Sequence, residues 1–96
     1  MTTLLLIYAG PNPGRISSWL DAHHVKGWTE LTGAHGAGST GRREGTRAWP
    51  GESTVVMTVV PEDVLPALAD ALKREQAALP AGERLHVAAL KTDFFF

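Results

Sequence analysis

The chain has 96 residues, 44% of them hydrophobic, a net charge of −1 and no cysteine. This length fits one domain with a modest core, which assembly into an oligomer would reinforce. The near-neutral charge gives no global basic field for nucleic acid, and the lack of cysteine excludes a disulfide framework, a thiolate zinc site and a cysteine nucleophile.

The opening MTTLLLIYAG is apolar but too short to span a bilayer and lacks a basic leader. Thr3 to Tyr8 therefore reads as a first strand, with no integral membrane segment, and the chain as cytoplasmic. PNPGRISSWLDAHH follows. Asn12 is a candidate N-cap, Pro13 suits the first helical position, and Ile16, Trp19 and Leu20 fall on one face. The helix is expected to end near His24, before Gly27. Val25 to Thr32 (VKGWTELT) alternates loosely and reads as a second strand.

Gly33 to Gly51 (GAHGAGSTGRREGTRAWPG) breaks the pattern: six of its nineteen residues are glycine. Three arginines against Glu44 give it a net charge of about +2. Glycine disfavours regular structure, and loops beyond about 12–15 residues are often functional. Arg42, Arg43 and Arg47 beside exposed N–H groups suit an anion. The stretch is neither a Walker A sequence nor a Rossmann fingerprint. Trp49-Pro50-Gly51 reads as a turn back into the sheet.

Ser53 to Val60 (STVVMTVV) is the clearest strand. Glu62 to Leu79 reads as a helix capped at Glu62 or Asp63, with Leu65, Leu68, Leu72 and Leu79 as its stripe and Pro66 in the first turn. Pro80-Ala81-Gly82 ends it. Leu85 to Leu90 is the last strand, with His86 expected to pack, and the tail ends in three phenylalanines.

The fold class that results is α+β: a ferredoxin-like βαββαβ arrangement, a four-stranded antiparallel sheet with two helices on one face and a long loop between strands 2 and 3. The open face of that sheet is too apolar for water, which predicts homo-oligomerisation.

On these residues the chain resembles the PII signalling proteins. The resemblance spans nearly all of residues 1–96 as one domain. It rests on the two β-α-β halves, on VKGWTEL as the second strand, and on the glycine-rich loop 33–52 in the place of the T-loop. TVVMTVVPEDVLPALADAL resembles the third strand, its Val-Pro-acidic-acidic junction and the second helix. PAGERLHV, with residues 80–84, resembles a shortened B-loop. The resemblance implies a homotrimer with its sheets facing inward and a site, often for an adenine nucleotide, in the cleft between subunits. Carried over by position, Gly27, Trp28 and Thr29 line the cleft. Gly33, His35, Gly36 and Gly38 form the base of the T-loop, and Gly82 and Arg84 contact the phosphate region. It also implies a signalling role, with the loop transmitting ligand binding to a protein partner.

Three departures bear on this. The long loop has no tyrosine, so the uridylylation switch is absent. Of the family's Lys-Gly-Phe-Gly-Arg-Gln stretch only Lys26 and Gly27 match. The Thr-Gly-Lys run of the B-loop is missing. These point to a divergent PII-like protein whose ligand is a nucleotide or another anion. The alternative is a CutA-like trimer binding a divalent metal, for which His35 is the candidate ligand, since imidazole suits copper and zinc. No nucleophile–base arrangement stands out, so an enzyme is not expected, and no nucleic-acid ligand is either.

Overall fold

A computed structural model of the chain describes residues 1–38, 41–43 and 53–96. In chain order the elements are β1 (Thr2–Ala9), α1 (Arg15–Ala22), β2 (Thr29–Ala34), β3 (Gly36–Gly38), β4 (Gly41–Arg43), β5 (Ser53–Val60), α2 (Leu65–Ala77) and β6 (Arg84–Lys91).

The four long strands form one sheet in the order β2-β5-β1-β6, and every pairing is antiparallel. This is the expected ferredoxin-like order. Strand side chains alternate between faces, so register assigns each residue a side. Leu4, Leu6 and Tyr8 of β1 stand opposite Thr58, Val56 and Thr54 of β5 and Ala89, Val87 and Leu85 of β6. This face meets the helices. Leu4, Leu6, Val56, Val60 and Leu85 are buried with Ile16 and Leu20 of α1 and Leu68 and Leu72 of α2. Each such side chain contributes about 1.5–3 kcal/mol of transfer energy.

The opposite face carries Leu5, Ile7, Val55, Met57, Val59 and Leu90. No helix covers it. Leu31, Met57 and Leu90 are 63%, 50% and 54% exposed, so a continuous apolar sheet surface faces outward.

Several boundaries differ from the sequence expectation. The first helix is capped by Gly14, not Asn12, whose carbonyl instead accepts from the Arg15 N–H at 3.1 Å. At its other end His24 adopts φ 60°. The Val25 N–H donates to the Leu20 carbonyl at 3.0 Å and the His24 N–H to that of Asp21 at 3.1 Å. These two bonds make a Schellman motif, and Val25 joins Leu20 in the core as its apolar contact. A residue spent on that closure cannot pair in the sheet. The second strand therefore begins at Thr29 rather than Val25, and a register shift separates Leu31 from Ala34. Gly27 still touches the sheet, because its carbonyl accepts from Thr58 Oγ1 at 2.5 Å.

The second helix is capped by Val64, not by Glu62 or Asp63, and Pro66 sits in its first turn as expected. Part of the loop also departs from expectation. Gly36, Ala37 and Gly38 pair with Arg43, Arg42 and Gly41 in an antiparallel two-stranded ladder, so the glycines there do not exclude strand structure. Ser39 and Thr40, and residues 44–52 with Arg47 and the Trp49-Pro50-Gly51 turn, lie outside the described residues.

Candidate functional site

The sheet places the candidate residues at two levels. Ala34, Ser53, Ala9 and Arg84 form one row across β2, β5, β1 and β6. This row marks the sheet end where the glycine-rich loop leaves and the α2–β6 turn arrives. Gly33, His35 and the backbone of Gly36 and Gly38 lie at the β2 edge of that end. Gly82 and Arg84 lie at the β6 edge. Three interstrand steps separate the edges, about 14 Å. Gly27 and Trp28 precede β2 and Thr29 opens it, five residues or about 16 Å from Ala34. One chain thus does not gather the predicted residues into one pocket.

Two glycines have conformations that explain their identity. Gly33, at the irregular stretch of β2, has φ 72°, and Gly82 has φ 88°. A side chain would be strained at either. His35 and Arg84 are exposed. Arg42 and Arg43 are placed by the backbone ladder of β4. His86 lies in β6 as expected but is exposed rather than packed, because its register opposite Ile7 puts it on the open face.

At the far end of β2 lies a cleft of about 430 Å³, lined by Gly27, Trp28, Thr29, Met57, Val59 and Phe95. The tail brings Phe95 there. Thr92 anchors it, with its N–H donating to the Met1 carbonyl at 3.0 Å and its hydroxyl 2.5 Å from that of Thr3. Phe94 to Phe96 remain largely exposed. A second cavity, about 320 Å³, runs between α2 and β6 with an apolar lining and Lys73 and Gln76 among its walls.

Beside the α2–β6 turn stands a polar cluster that the sequence reading missed. The Tyr8 hydroxyl donates to Glu83 Oε1 and accepts from the Asn12 N–H. Arg15 grips the same carboxylate with a fork, Nε to Oε1 at 2.9 Å and Nη2 to Oε2 at 3.3 Å. The Glu83 side chain is only 7% exposed, so these bonds are worth more than a surface ion pair. A methyl at Gly10 would overlap the Tyr8 hydroxyl, so the β1–α1 turn passes over the cluster only with glycine there.

The hydrogen bond from Tyr8 holds the Glu83 carboxyl below the ordinary carboxylate range; burial opposes this and Arg15 adds to it. Burial, and then Glu83, raises the Tyr8 hydroxyl. A carboxyl lowered in the folded state stabilises above its unfolded value, about 4.3, and that stability is lost as pH falls through the folded value. The Glu83→Gln variant is therefore expected to lose less stability than the parent between neutral pH and about pH 3. Urea midpoints across that range check it, and parallel curves would contradict it.

Among the described residues, no three histidine or carboxylate side chains converge as a metal site, and no helix is long and apolar enough to cross a membrane.

The sequence matches no family model and no curated protein, so the likeness to known proteins is structural. CPII, a nitrogen regulatory PII-like protein from Thiomonas intermedia K12 bound to ADP, AMP and bicarbonate, superposes with a TM-score of 0.64 at 23% identity, covering 93% of this chain and 86% of that one. CPII bound to ADP, AMP and acetate gives 0.61 at 20% identity, over 95% and 88%. A candidate PII-like signalling protein from Thermus thermophilus gives 0.58 at 25% identity, over 93% and 86%. The fold is that of the PII-like proteins. Within that PII-like fold, the β3–β4 ladder lies between the second and third long strands in chain order, and residues 78–83 join α2 to the last strand.

Proposed function

We propose that this chain is a PII-like regulatory protein. It assembles as a homotrimer and binds a small anionic ligand, an adenine nucleotide by preference, in clefts between subunits. Loop 33–52 carries the bound state to a partner protein in the cytoplasm, and no reaction is catalysed.

The observation that carries this reading is the division of the site across the sheet. The loop base and Arg84 occupy the same sheet end but opposite edges, about 14 Å apart. A head-to-tail ring sets the β6 edge of one chain beside the β2 edge of the next, and its apolar open faces turn inward. Arg84 of one subunit then faces Gly33, His35 and Gly36 of another, with Arg42 and Arg43 on the adjoining ladder. Arginine forks and glycine backbone N–H groups are chemically suited to phosphate. The cleft at Gly27, Trp28 and Thr29, with an apolar floor, suits the base. The structural neighbour CPII with bound ADP and AMP supports the ligand class.

Native mass spectrometry of the purified protein with ADP, AMP and bicarbonate tests this. A mass of three chains that gains one nucleotide per chain is expected. Arg84→Ala should weaken ADP binding by about tenfold, the loss of roughly one charged hydrogen bond at 1.4 kcal/mol. A trimer indifferent to all three compounds would remove the ligand assignment, and a monomer would remove the shared cleft.

A further inference from the structure

We infer that Tyr8, Arg15 and Glu83 form a latch that aims Arg84 at the bound anion. They are positioning residues, and the inference rests on the ligand reading above.

The geometry starts from strand alternation. Arg84 pairs with Ala9 and belongs to the open face, while Leu85 pairs with Tyr8 and belongs to the helix face. Glu83 precedes Arg84, so it falls on the helix side with Leu85. There the Tyr8 hydroxyl and the Arg15 fork hold its carboxylate. With residue 83 pinned to one side, the next side chain must emerge on the other. Arg84 is accordingly exposed at the loop end of the sheet.

The turn before the latch is closed as well. The Glu83 N–H donates to the Pro80 carbonyl at 3.1 Å, and Gly82, the third residue of that turn, takes a left-handed conformation with φ 88° that glycine adopts without strain. The segment Pro80 to Arg84 is thus tied at both backbone and side chain. Such fixing lowers the ordering cost when a ligand binds.

Charge is arranged to the same end. Glu83 is the only acidic residue in Pro80–Arg84, and Arg15 pairs with it. An anion approaching Arg84 therefore meets no uncompensated carboxylate from that segment. Among the described residues Arg84 forms no ion pair of its own. The three latch residues come from β1, from the first turn of α1 and from the α2–β6 turn, so the latch also ties the two β-α-β halves together at the ligand end.

The test uses calorimetric titration of the full chain with ADP and with adenosine, which lacks the phosphates. Tyr8→Phe keeps the ring and removes the hydroxyl donor. It is expected to weaken ADP by about tenfold and leave adenosine unchanged. In an Arg84→Ala background the same change should have no further effect on ADP, because nothing remains to be aimed. Equal weakening of ADP and adenosine, or an undiminished effect in the Arg84→Ala background, would overturn the inference. Should Tyr8→Phe fold poorly, Glu83→Gln serves in its place. Hydrogen exchange at the Gly82 to Arg84 amides gives a readout independent of ligand. Faster exchange in Tyr8→Phe supports the latch, and unchanged exchange overturns it even if the parent protein ignores ADP. A parent that ignores ADP while its latch variants exchange faster overturns the aiming role and the ligand reading, leaving the turn held for stability alone.

Discussion

Leu6→Ala is expected to remove about 3–4 kcal/mol of folding stability. Leu6 lies at the middle of β1, flanked by Val56 on β5 and Val87 on β6, and is fully buried beneath the helices. Truncating it loses the transfer energy of the missing atoms and leaves a hole that two flanking strands cannot close, because their ladders fix the spacing. Small domains have only about 5–15 kcal/mol to lose, so the change takes a large share. At about 4–8 °C per kcal/mol for a chain of this size, the melting temperature should fall by more than about 12 °C. Val87→Ala, at a neighbouring but 39% exposed site, should cost less than about 1.5 kcal/mol. Thermal melts at one fixed protein concentration make the comparison, since assembly would otherwise shift both values. Equal losses for the two variants would mean that the core is not centred on β1.

How far the fold can be read in the chain depends on how local its causes are. β5 was legible from Ser53 to Val60 because β-branched residues fill it and Pro61 stops it. The same holds for the apolar open face, since alternation alone puts Leu5 and Ile7 opposite Leu4 and Leu6. The start of β2 was not legible. VKGWTELT alternates acceptably from Val25, but whether Val25 pairs or packs is decided by the hydrogen bond that closes α1 at Leu20. That closure needs a left-handed residue, and here a histidine, His24, takes it rather than a glycine. His86 shows a similar limit: a strand residue was evident, but its face depends on register with β1.

The site was legible in part for the same reason. Gly33 and Gly82 stand out in sequence, and their positive φ values give a physical ground for glycine. Glu83 did not stand out, because its partners lie 75 and 68 positions away, at Tyr8 and Arg15. One cue was available. An acidic residue directly before Arg84, in a turn that should receive an anion, needs a compensating charge, and Arg15 opens the first helix. Recognising the pair still required the crossing order that brings β1 and β6 side by side.

The second large effect concerns assembly. Met57→Glu is expected to convert the homotrimer proposed here into monomers without unfolding the chain. Met57 stands near the centre of the open face, between Thr29 on β2 and Leu5 on β1, and is 50% exposed in the single chain. A carboxylate there is hydrated in the monomer and costs little. In an inward-facing ring it would be buried against Leu5, Val55 or Val59 of a neighbour, and three copies would lie close together. Burying an unpaired charge costs several kcal/mol, and like charges add to it. A stable interface of about 800 Å² per partner depends on a few such central residues, so one change can dissolve it. The mass by light scattering should fall from three chains to one while the far-ultraviolet spectrum stays the same. Ala77→Glu, on the exposed side of α2, supplies the charge control and should leave the mass unchanged. Nucleotide binding should vanish with Met57→Glu, both because Arg84 and the loop base then sit on separate molecules and because Met57 lines the cleft at Trp28. Dissociation with undiminished nucleotide binding would place the ligand within one chain and contradict the shared cleft, whereas an intact trimer would show that the chains meet through a different face.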